Sequence, residues 1–327
     1  MHDAIVLRGL TKTFGDTVAV RDLDLVVPQG ALYGLIGPNG AGKTTAIRMI
    51  LSILLPDRGE LSVLGHRSAM EAKDRIGYLP EERGLYKRMR VGQFLVYMAR
   101  LKNADSADLR SRIRAWLERV DLGGVEHKRC EELSKGMQQK VQFVAAVIHR
   151  PDLLIFDEPF SGLDPVNQRL LRELVDEEHR RGATVLFSTH VMVHAELLCD
   201  HVVMIHRGDK VLDDGIGGIR ARYNPRNVLF EPLDPAADVR ALGTLAGIER
   251  VRKDGTTWDI ALAPGASPAS VIQQVAAAIP PARVELRRPS LEDVFISIVR
   301  ADAVEGDDST LRAAVRDNGD ARREPRS

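Results

Sequence analysis

The chain has 327 residues, and its 46 lysines and arginines are balanced by 46 aspartates and glutamates. The length predicts about two domains of roughly 150 residues each, and the balanced charge argues against a broad surface for nucleic-acid phosphates. Two cysteines, Cys130 and Cys199, are too few for a secreted disulfide scaffold. We read no signal peptide at the N-terminus, and the longest apolar runs fall short of the ~18–20 residues of a membrane span. We therefore expect a cytoplasmic protein that does not itself cross a bilayer.

The first half of the chain predicts strands followed by helices. β-branched or alternating runs predict strands. The segment that begins at Lys43 and ends before Pro56 has apolar residues at helical spacing and predicts a helix. The predicted strands cover residues 4–7, 22–27 and 32–36. Further helices are predicted at 91–102, at 106–122 and from Ser134 to His149, where the following Pro151 ends the pattern.

The second half alternates between buried strands and helices before its character changes. Apolar runs at 152–157 and 183–189 flank a predicted helix at 165–181, an alternation typical of a parallel sheet with helical crossovers and therefore of an α/β fold. Shorter segments beyond Tyr223 predict a small α+β domain, with a boundary at about residue 222. From Ala301 the chain is rich in Asp, Arg and Glu and lacks aromatics, which predicts a disordered tail over 301–327.

The sequence GPNGAGKT at residues 37–44 matches the phosphate-binding pattern G-x-x-x-x-G-K-[ST] at every fixed position. It follows a predicted strand and opens a predicted helix, where such a loop curls its backbone N–H groups around an anion. This agreement disfavours the alternative of a glycine-rich turn with an incidental lysine. Lys43 is the expected contact to the β- and γ-phosphates, and Thr44 is an expected Mg²⁺ ligand. The predicted nucleotide-binding residues are Gly37, Pro38, Asn39, Gly40, Ala41, Gly42, Lys43, Thr44 and Thr45.

Two carboxylates at the end of a predicted buried strand indicate a hydrolytic site. Asp157 is the expected Mg²⁺ ligand, and Glu158 is expected to orient or deprotonate the attacking water. His190 ends the next apolar run, and parallel strands end at the same edge of a sheet, so it could reach the γ-phosphate and that water. We therefore predict Glu158, His190 and Lys43 as catalytic residues. The alternative is a pair of solvated acids with an incidental histidine.

The order of the motifs GPNGAGKT, ELSKGMQQK, LLIFDEP, SGLDP and STH resembles that of the nucleotide-binding subunits of ABC (ATP-binding cassette) transporters over roughly residues 4–222. The second motif, LSKGM at 133–137, is the most specific of them. The resemblance implies a P-loop NTPase cassette at 1–222, with a mixed sheet core, an antiparallel β subdomain and a helical subdomain at about 85–150. A small C-terminal α+β domain at 223–300 would follow it.

The same resemblance assigns roles to further residues. It implies that two cassettes enclose two ATP molecules head to tail, so that Ser134 and Gly136 of one copy face the ATP held by the other. Asp164 would lie in the loop that communicates across this dimer, and Phe14 would stack on adenine. Glu81 stands where most members have a glutamine that touches Mg²⁺, so we count it with the metal-site residues. Lys135 and Met137 replace the usual glycine and glutamine of the second motif.

Shorter strings, YLPEERGLY, LSKGMQQKVQF and PSLEDVFI, resemble those of a narrower group, the ATPase subunits of type 2 exporters of the sodium- or drug-extrusion kind. This implies an ATPase that uses ATP and Mg²⁺ and powers export of an ion or small molecule. Its expected partners are a second cassette and a separate transmembrane permease, which would hold it peripherally at the cytoplasmic face of the membrane. No nucleic-acid partner is expected.

Two alternatives to this function stay open at the level of sequence. One is a soluble ABC ATPase that acts on DNA repair complexes or ribosomes. The other is an interaction protein that binds ATP without hydrolysing it, which Glu158 and His190 argue against. The basic segment RGLYKRMR at 83–90 is either a docking surface or a solvated loop, and the resemblance favours docking to the permease.

Overall fold

The computed structural model describes residues 3–82, 84–222, 227–287 and 290–304. They form two compact units, divided between residues 216 and 217, whereas the sequence predicts a boundary at about 222. Residues 223–226 and 305–327 lie outside the described residues, and so does most of the predicted tail. Within the described part of the chain, no helix is both long and apolar enough to cross a membrane.

The first unit consists of two sheets and their helices. Its strands are β1 (Asp3–Phe14), β2 (Thr17–Pro28), β3 (Leu32–Ile36), β4 (Arg58–Val63), β5 (Ile76–Leu79), β6 (Leu153–Asp157), β7 (Thr184–Thr189), β8 (His201–His206) and β9 (Asp209–Gly215). Its helices are α1 (Lys43–Ile50), α2 (Val91–Leu101), α3 (Leu109–Arg119), α4 (Lys135–Val147), α5 (Pro165–Arg180) and α6 (Met192–Leu198). Short 3₁₀ helices lie at Ala69–Arg75 and Cys130–Glu132.

The larger sheet is mixed, in the order β5-β6-β7-β3-β8-β9, and the smaller sheet is antiparallel, in the order β2-β1-β4. In the larger sheet all pairs are parallel except β8 with β9. Strands β3, β6 and β7 are buried along their whole length, which accounts for their uninterrupted apolar sequences. The predicted α/β class with a mixed sheet core and an antiparallel β subdomain is confirmed.

Helices α2, α3 and α4 pack against one another and form the helical part of this unit. Trp116 of α3 packs edge-on against Phe143 of α4, with ring centroids 6.2 Å apart. Phe143 in turn lies 5.6 Å from Phe156 of β6. This row of aromatic rings connects the helices to the strand that carries the predicted carboxylates, so α4 has a fixed position relative to them.

Several helices are shorter than their sequence patterns predict. The apolar spacing after Lys43 continues to residue 55, but α1 ends at Ile50 because Ser52 adopts a left-handed backbone with φ of +56°. Helix α3 ends at Arg119, and Asp121 has the same left-handed conformation. Apolar spacing therefore locates these helices, whereas single backbone reversals determine where they end.

The second unit is a small α+β module with its own core. Its elements are α7 (Ile216–Arg222), which begins at the division, β10 (Asn227–Pro232), a 3₁₀ helix (Val239–Thr244), β11 (Ile248–Asp254), β12 (Thr257–Leu262), α8 (Pro268–Ala278), β13 (Pro281–Arg287) and α9 (Leu291–Val304). The strands form an antiparallel sheet in the order β11-β12-β10-β13. Residues of the sheet and of α8 share one buried cluster, which includes Phe230, Ile260 and Val275.

Helix α9 extends beyond the predicted start of the tail. Ser290 and Asp293 cap its N-terminus reciprocally, with Oγ of Ser290 accepting from the Asp293 N–H at 3.1 Å. The helix continues to Val304, so the prediction of a tail from residue 301 is wrong for 301–304. Ala301 and Ala303 favour helix strongly, and the composition-based prediction ignored that local preference.

Candidate functional site

The loop at residues 37–44 connects the end of β3 to the start of α1, and two of its glycines fit where no side chain could. A Cβ atom at Gly37 would lie 2.1 Å from the carbonyl oxygen of Ile205 in β8. A Cβ atom at Gly42, where φ is +112°, would lie 2.2 Å from the carbonyl oxygen of Ala19 in β2. The backbone of the loop is therefore packed directly against two neighbouring strands, and this packing fixes its curl.

Lys43 lies inside this curl, with only 5% of its surface exposed. Its Nζ donates hydrogen bonds to the carbonyl oxygens of Gly37 at 2.8 Å and Pro38 at 3.1 Å, and lies 3.8 Å from Oε1 of Glu158. Burial lowers the pKa of Lys43, and the nearby carboxylates, Glu158 first, oppose that shift. A buried cation enclosed by a curled backbone is suited to bind an anion such as a phosphate.

Asp157 ends β6 and is the most buried carboxylate of the site, with 1% of its surface exposed. Its Oδ1 accepts hydrogen bonds from Oγ1 of Thr44 at 3.2 Å and from Oγ of Ser188. Its Oδ2 is buried without a hydrogen-bond partner among the described residues. A free carboxylate oxygen beside a threonine hydroxyl matches the oxygen ligands that Mg²⁺ prefers. Thr44 and Asp157 therefore fit a magnesium ion.

Glu158 follows Asp157 in a left-handed backbone conformation, with φ of +50°. Its N–H donates to the carbonyl oxygen of Ser188 at 3.2 Å. Its Oε1 accepts from the backbone N–H of His190 at 2.9 Å and contacts Nδ1 of the same residue at 2.8 Å. The structure thus brings together the three predicted catalytic residues, Glu158, His190 and Lys43, and the carboxylate is oriented by two groups of His190. This arrangement can accept a proton from a bound water.

Glu81 lies in the segment after β5, is exposed, and acts on the site through its charge. Burial raises the pKa of Tyr78 to about 12, and the negative charges of Asp157 and Glu81 add to that effect. Glu81 also favours the charged form of Lys43. Among the described residues no hydrogen bond or ion pair connects Glu81 to Thr44 or Asp157, so its predicted role at the metal stays a prediction.

Phe14 ends β1 at the rim of the smaller sheet and is 50% exposed. Nζ of Lys12 lies 5.7 Å from the centre of its ring. An exposed aromatic ring of this kind can stack on a planar heterocycle, as predicted for adenine.

Ser134 caps the N-terminus of α4, where its Oγ accepts from the Met137 N–H at 3.3 Å. Nε2 of Gln138 reaches back over the preceding loop and donates to the carbonyl oxygens of Cys130 at 3.3 Å and Leu133 at 3.0 Å. The cap and the glutamine together hold the loop that leads into the helix, so the helix N-terminus is a rigid, positively polarised end.

Asp164 caps α5 in the same way, with its Oδ1 accepting from the Asn167 N–H at 2.9 Å. That hydrogen bond lowers the pKa of the Asp164 carboxyl. Nε2 of Gln168 donates to the carbonyl oxygens of Phe160 at 3.4 Å and Leu163 at 3.0 Å. Sequence reasoning missed both glutamines, although each stands four residues after its capping residue, and this repeated spacing is a detectable signal.

Apart from Phe14 and Glu81, the predicted residues fall into two groups on the chain. The first contains Glu158, His190, Asp157 and the loop at 37–44. The second contains Ser134, Gly136 and Asp164, in which a Cβ atom at Gly136 would contact Leu163 of the neighbouring loop at 3.6 Å. No hydrogen bond between described residues connects Ser134 or Gly136 to the loop at 37–44. Ser188, which binds both carboxylate-bearing residues, was not predicted.

Comparison with known proteins identifies the family. A family model described as "ABC transporter" matches residues 20–161, and one described as "ATP-binding protein DrrA1-3-like, C-terminal domain" matches residues 216–299. The ABC transporter ATP-binding protein YhaQ of Bacillus subtilis is 43% identical over 89% of this chain and 97% of the relative. The Nod factor export ATP-binding protein I of Cupriavidus pinatubonensis is 38% identical over 63% of this chain and 65% of the relative.

A solved structure of an ATP-binding subunit of an ABC transporter has 32% sequence identity to this chain and a TM-score of 0.63. It covers 67% of this chain and 93% of its own. Both the cassette and the C-terminal domain are therefore matched, in agreement with the motif order and with the geometry of the loop at 37–44. The chain belongs to the family of ABC transporter ATP-binding proteins, in the type 2 exporter-like subgroup, and it is an ATPase that binds ATP.

Proposed function

We propose that this chain is the subunit that powers a separate transmembrane permease, and that two copies of its cassette close head to tail on two ATP molecules. One observation carries this proposal: within the described residues, no hydrogen bond joins the capped end of α4 to the loop at 37–44 of the same chain. The N-terminus of a helix attracts anions, and Ser134 is exposed there. In the proposed dimer, Ser134 and Gly136 of the second copy complete the site around the γ-phosphate.

The proposed hydrolytic roles follow from the contacts of each side chain. Lys43 donates to phosphate oxygens, Glu158 accepts a proton from the attacking water, and His190 keeps Oε1 of Glu158 oriented. Thr44 and Asp157 would hold Mg²⁺, with Glu81 as a further oxygen ligand. When bound, the ion supplies positive charge that offsets the charge of the phosphates.

We further propose that the permease docks beside residues 84–90, the described part of the basic segment 83–90, next to the helical part of the cassette. Tyr86 is 52% exposed and packs edge-on against Phe94 and Tyr97 of α2. Backbone hydrogen bonds join segment 87–92 to segment 126–131. The two paired segments, one of which continues from Tyr86, both carry exposed cations, namely Lys87, Arg88, Arg90, Lys128 and Arg129. Aromatic side chains surrounded by arginines are typical of protein interfaces.

Membership of the type 2 exporter-like subgroup favours export of an ion or small molecule as the transport that this ATPase powers. One relative is itself named for export of Nod factor. Under this proposal the protein lies at the cytoplasmic face of the membrane, held there by the permease. A cassette that acts on a repair complex or a ribosome would not copurify with a membrane protein. Copurification from detergent-solubilised membranes therefore distinguishes the two functions.

Replacing Glu158 by glutamine tests the composite site directly. The variant keeps the shape of the side chain but cannot accept the proton, so we expect it to bind ATP without hydrolysis and accumulate as a dimer. Size-exclusion chromatography with light scattering, in Mg²⁺ and ATP, measures this. The double variant Glu158→Gln with Ser134→Ala serves as the control and should form less dimer. A Glu158→Gln protein that binds ATP and stays monomeric would contradict the proposal.

The C-terminal unit has its own hydrophobic core, and we propose that it stabilises or regulates the dimer. Removing it should leave ATP binding by the cassette intact, because the loop at 37–44 and both groups of site residues belong to the first unit. We expect the truncated Glu158→Gln protein to dimerise more weakly or the truncated cassette to hydrolyse ATP at an altered rate. Unchanged values for both quantities would refute this role.

A further inference from the structure

Helix α4 contains two buried glutamines three residues apart, and therefore on one face. Gln139 is 3% exposed and Gln142 is 5% exposed. Nε2 of Gln139 donates to the carbonyl oxygen of Pro159 at 3.2 Å, and Pro159 directly follows Glu158. This glutamine therefore holds the backbone next to the catalytic carboxylate.

Gln142 makes the corresponding contact on the other side of the site. Its Nε2 donates to the carbonyl oxygen of Glu82 at 3.5 Å, and Glu82 directly follows Glu81. A Cβ atom at Gly84 would lie 3.9 Å from the same Nε2, so Gly84 also lies close to the amide. One helix thus holds the backbone beside both acidic residues.

The second polar atom of the Gln142 side chain indicates that this residue does not maximise the stability of the fold. Its Oε1 is buried without a hydrogen-bond partner among the described residues. Turning the amide over would bring Oε1 against the carbonyl oxygen of Glu82, so the donor orientation is the favourable one. Ala145 and Ala146, three and four residues further along the same helix face, are buried apolar residues. An apolar side chain of similar size at position 142 would leave no such oxygen unpaired.

We propose that Gln142 is a positioning residue for ATP hydrolysis, which ties the segment bearing Glu81 to α4, while Gln139 ties the loop bearing Glu158 to the same helix. This inference rests on the proposed role of Glu81 at the metal. In the proposed dimer, Ser134 at the start of α4 faces the nucleotide of the second copy. A displacement of α4 is then transmitted to both acidic residues through two amide hydrogen bonds.

The variant Gln142→Met in the full-length chain tests this proposal, with four measurements: thermal unfolding, ATP affinity, kcat and the Mg²⁺ concentration for half-maximal rate. We expect an unfolding temperature equal to or above that of the unsubstituted protein, and unchanged ATP affinity. We expect kcat to fall about five- to tenfold, which corresponds to the loss of one hydrogen bond, and the Mg²⁺ requirement to rise. Gln142→Leu replaces it if the methionine variant fails to fold. An unchanged kcat and Mg²⁺ requirement would overturn the proposal.

Gln139→Met separates the two contacts. It should lower kcat through Glu158 and leave the Mg²⁺ requirement unchanged, whereas an effect on Mg²⁺ equal to that of Gln142→Met would overturn the assignment of the two amides. Gln273→Met, at an exposed position of α8, measures the general effect of replacing glutamine by methionine.

A double-mutant cycle shows whether Gln142 acts through Glu81. In a Glu81→Ala background, Gln142→Met should have no additional effect on the Mg²⁺ requirement, because the side chain that it positions is already absent. Additive effects of the two substitutions would overturn the inference. A Glu81→Ala variant that alone behaves like the unsubstituted protein would instead refute the proposed role of Glu81, so the two failures are distinguishable.

Discussion

Replacing Ser188 by alanine tests how the carboxylate of the proposed metal site is held. Ser188 is completely buried in β7, opposite Asp157 in the register of the parallel pair. Its hydroxyl donates to Oδ1 of Asp157, and its Oγ also accepts from the Glu158 N–H at 3.3 Å. The substitution leaves Asp157 with the Thr44 hydroxyl as its hydrogen-bond donor among the contacts described above.

The expected effects have magnitudes that follow from these contacts. A hydrogen bond to a charged group contributes about 1.5–3 kcal/mol, and a domain of this size loses about 2–4 °C of melting temperature per kcal/mol. Without metal, Ser188→Ala should therefore lower the unfolding temperature of the cassette by about 3–12 °C. Loss of a group that orients a metal ligand typically weakens metal affinity about 10–100-fold, so the Mg²⁺ requirement should rise within that range.

The assay is ATP hydrolysis as a function of Mg²⁺ at saturating ATP, alongside thermal unfolding in a chelator. Ser62→Ala, at a half-buried position of β4, is the control for removing a serine hydroxyl from a strand. If Ser188→Ala unfolds at the expected lower temperature but keeps its Mg²⁺ requirement within twofold, Ser188 supports the fold and does not orient the ligand. If neither quantity changes, the reasoning about buried hydrogen bonds is refuted.

Two further predictions concern the loop glycines and a buried histidine. Gly42→Ala should cost at least about 3 kcal/mol of cassette stability, because its Cβ would collide with the Ala19 carbonyl. Gly40→Ala should cost only about 1–2 kcal/mol, because its φ of +78° is strained for alanine but its surroundings are open. Denaturant titration without nucleotide measures both, and equal losses would contradict the prediction. Burial lowers the pKa of His149 to about 4, whereas its ordinary value is near 6.5. Between these values the unfolded chain binds a proton that the folded chain does not, so the free energy of unfolding is highest above pH 6.5 and falls as the pH falls towards 4. Compared with His149→Gln, the native chain should lose about 2 kcal/mol more between pH 7 and pH 4.5, and parallel stability curves would contradict this.

The elements that sequence predicted well are those with strong local patterns. The apolar runs of β3, β6 and β7 are buried on both faces, and the glycines and Lys43 follow β3 as the motif requires. Because parallel strands end at one edge of a sheet, the approach of His190 to Glu158 also followed from sequence. The order of the sequence motifs was sufficient to identify the family.

The supporting contacts could not be predicted, because each depends on packing between distant segments. Ser188 binds Asp157 only because β6 and β7 pair in one particular register. Gln142 reaches Glu82 across 60 residues of sequence, and in the sequence it has the polar character of a solvated helix face. The position of Glu81 depends on a loop with no periodic pattern. The residues expected to bind phosphate, metal and water could be predicted from their residue types and motifs, whereas the residues that hold them in place could not.

The left-handed backbone at Glu158 has a consequence for attempts to make this protein more heat-resistant. An L-residue in that conformation costs about 1–2 kcal/mol, and glycine adopts it freely. Glu158→Gly would thus relieve strain while removing the proton acceptor. The same substitution takes the acceptor from the His190 N–H and the carboxylate from beside buried Lys43, which opposes that gain. Engineering of heat resistance at this position therefore needs turnover as a second criterion beside stability.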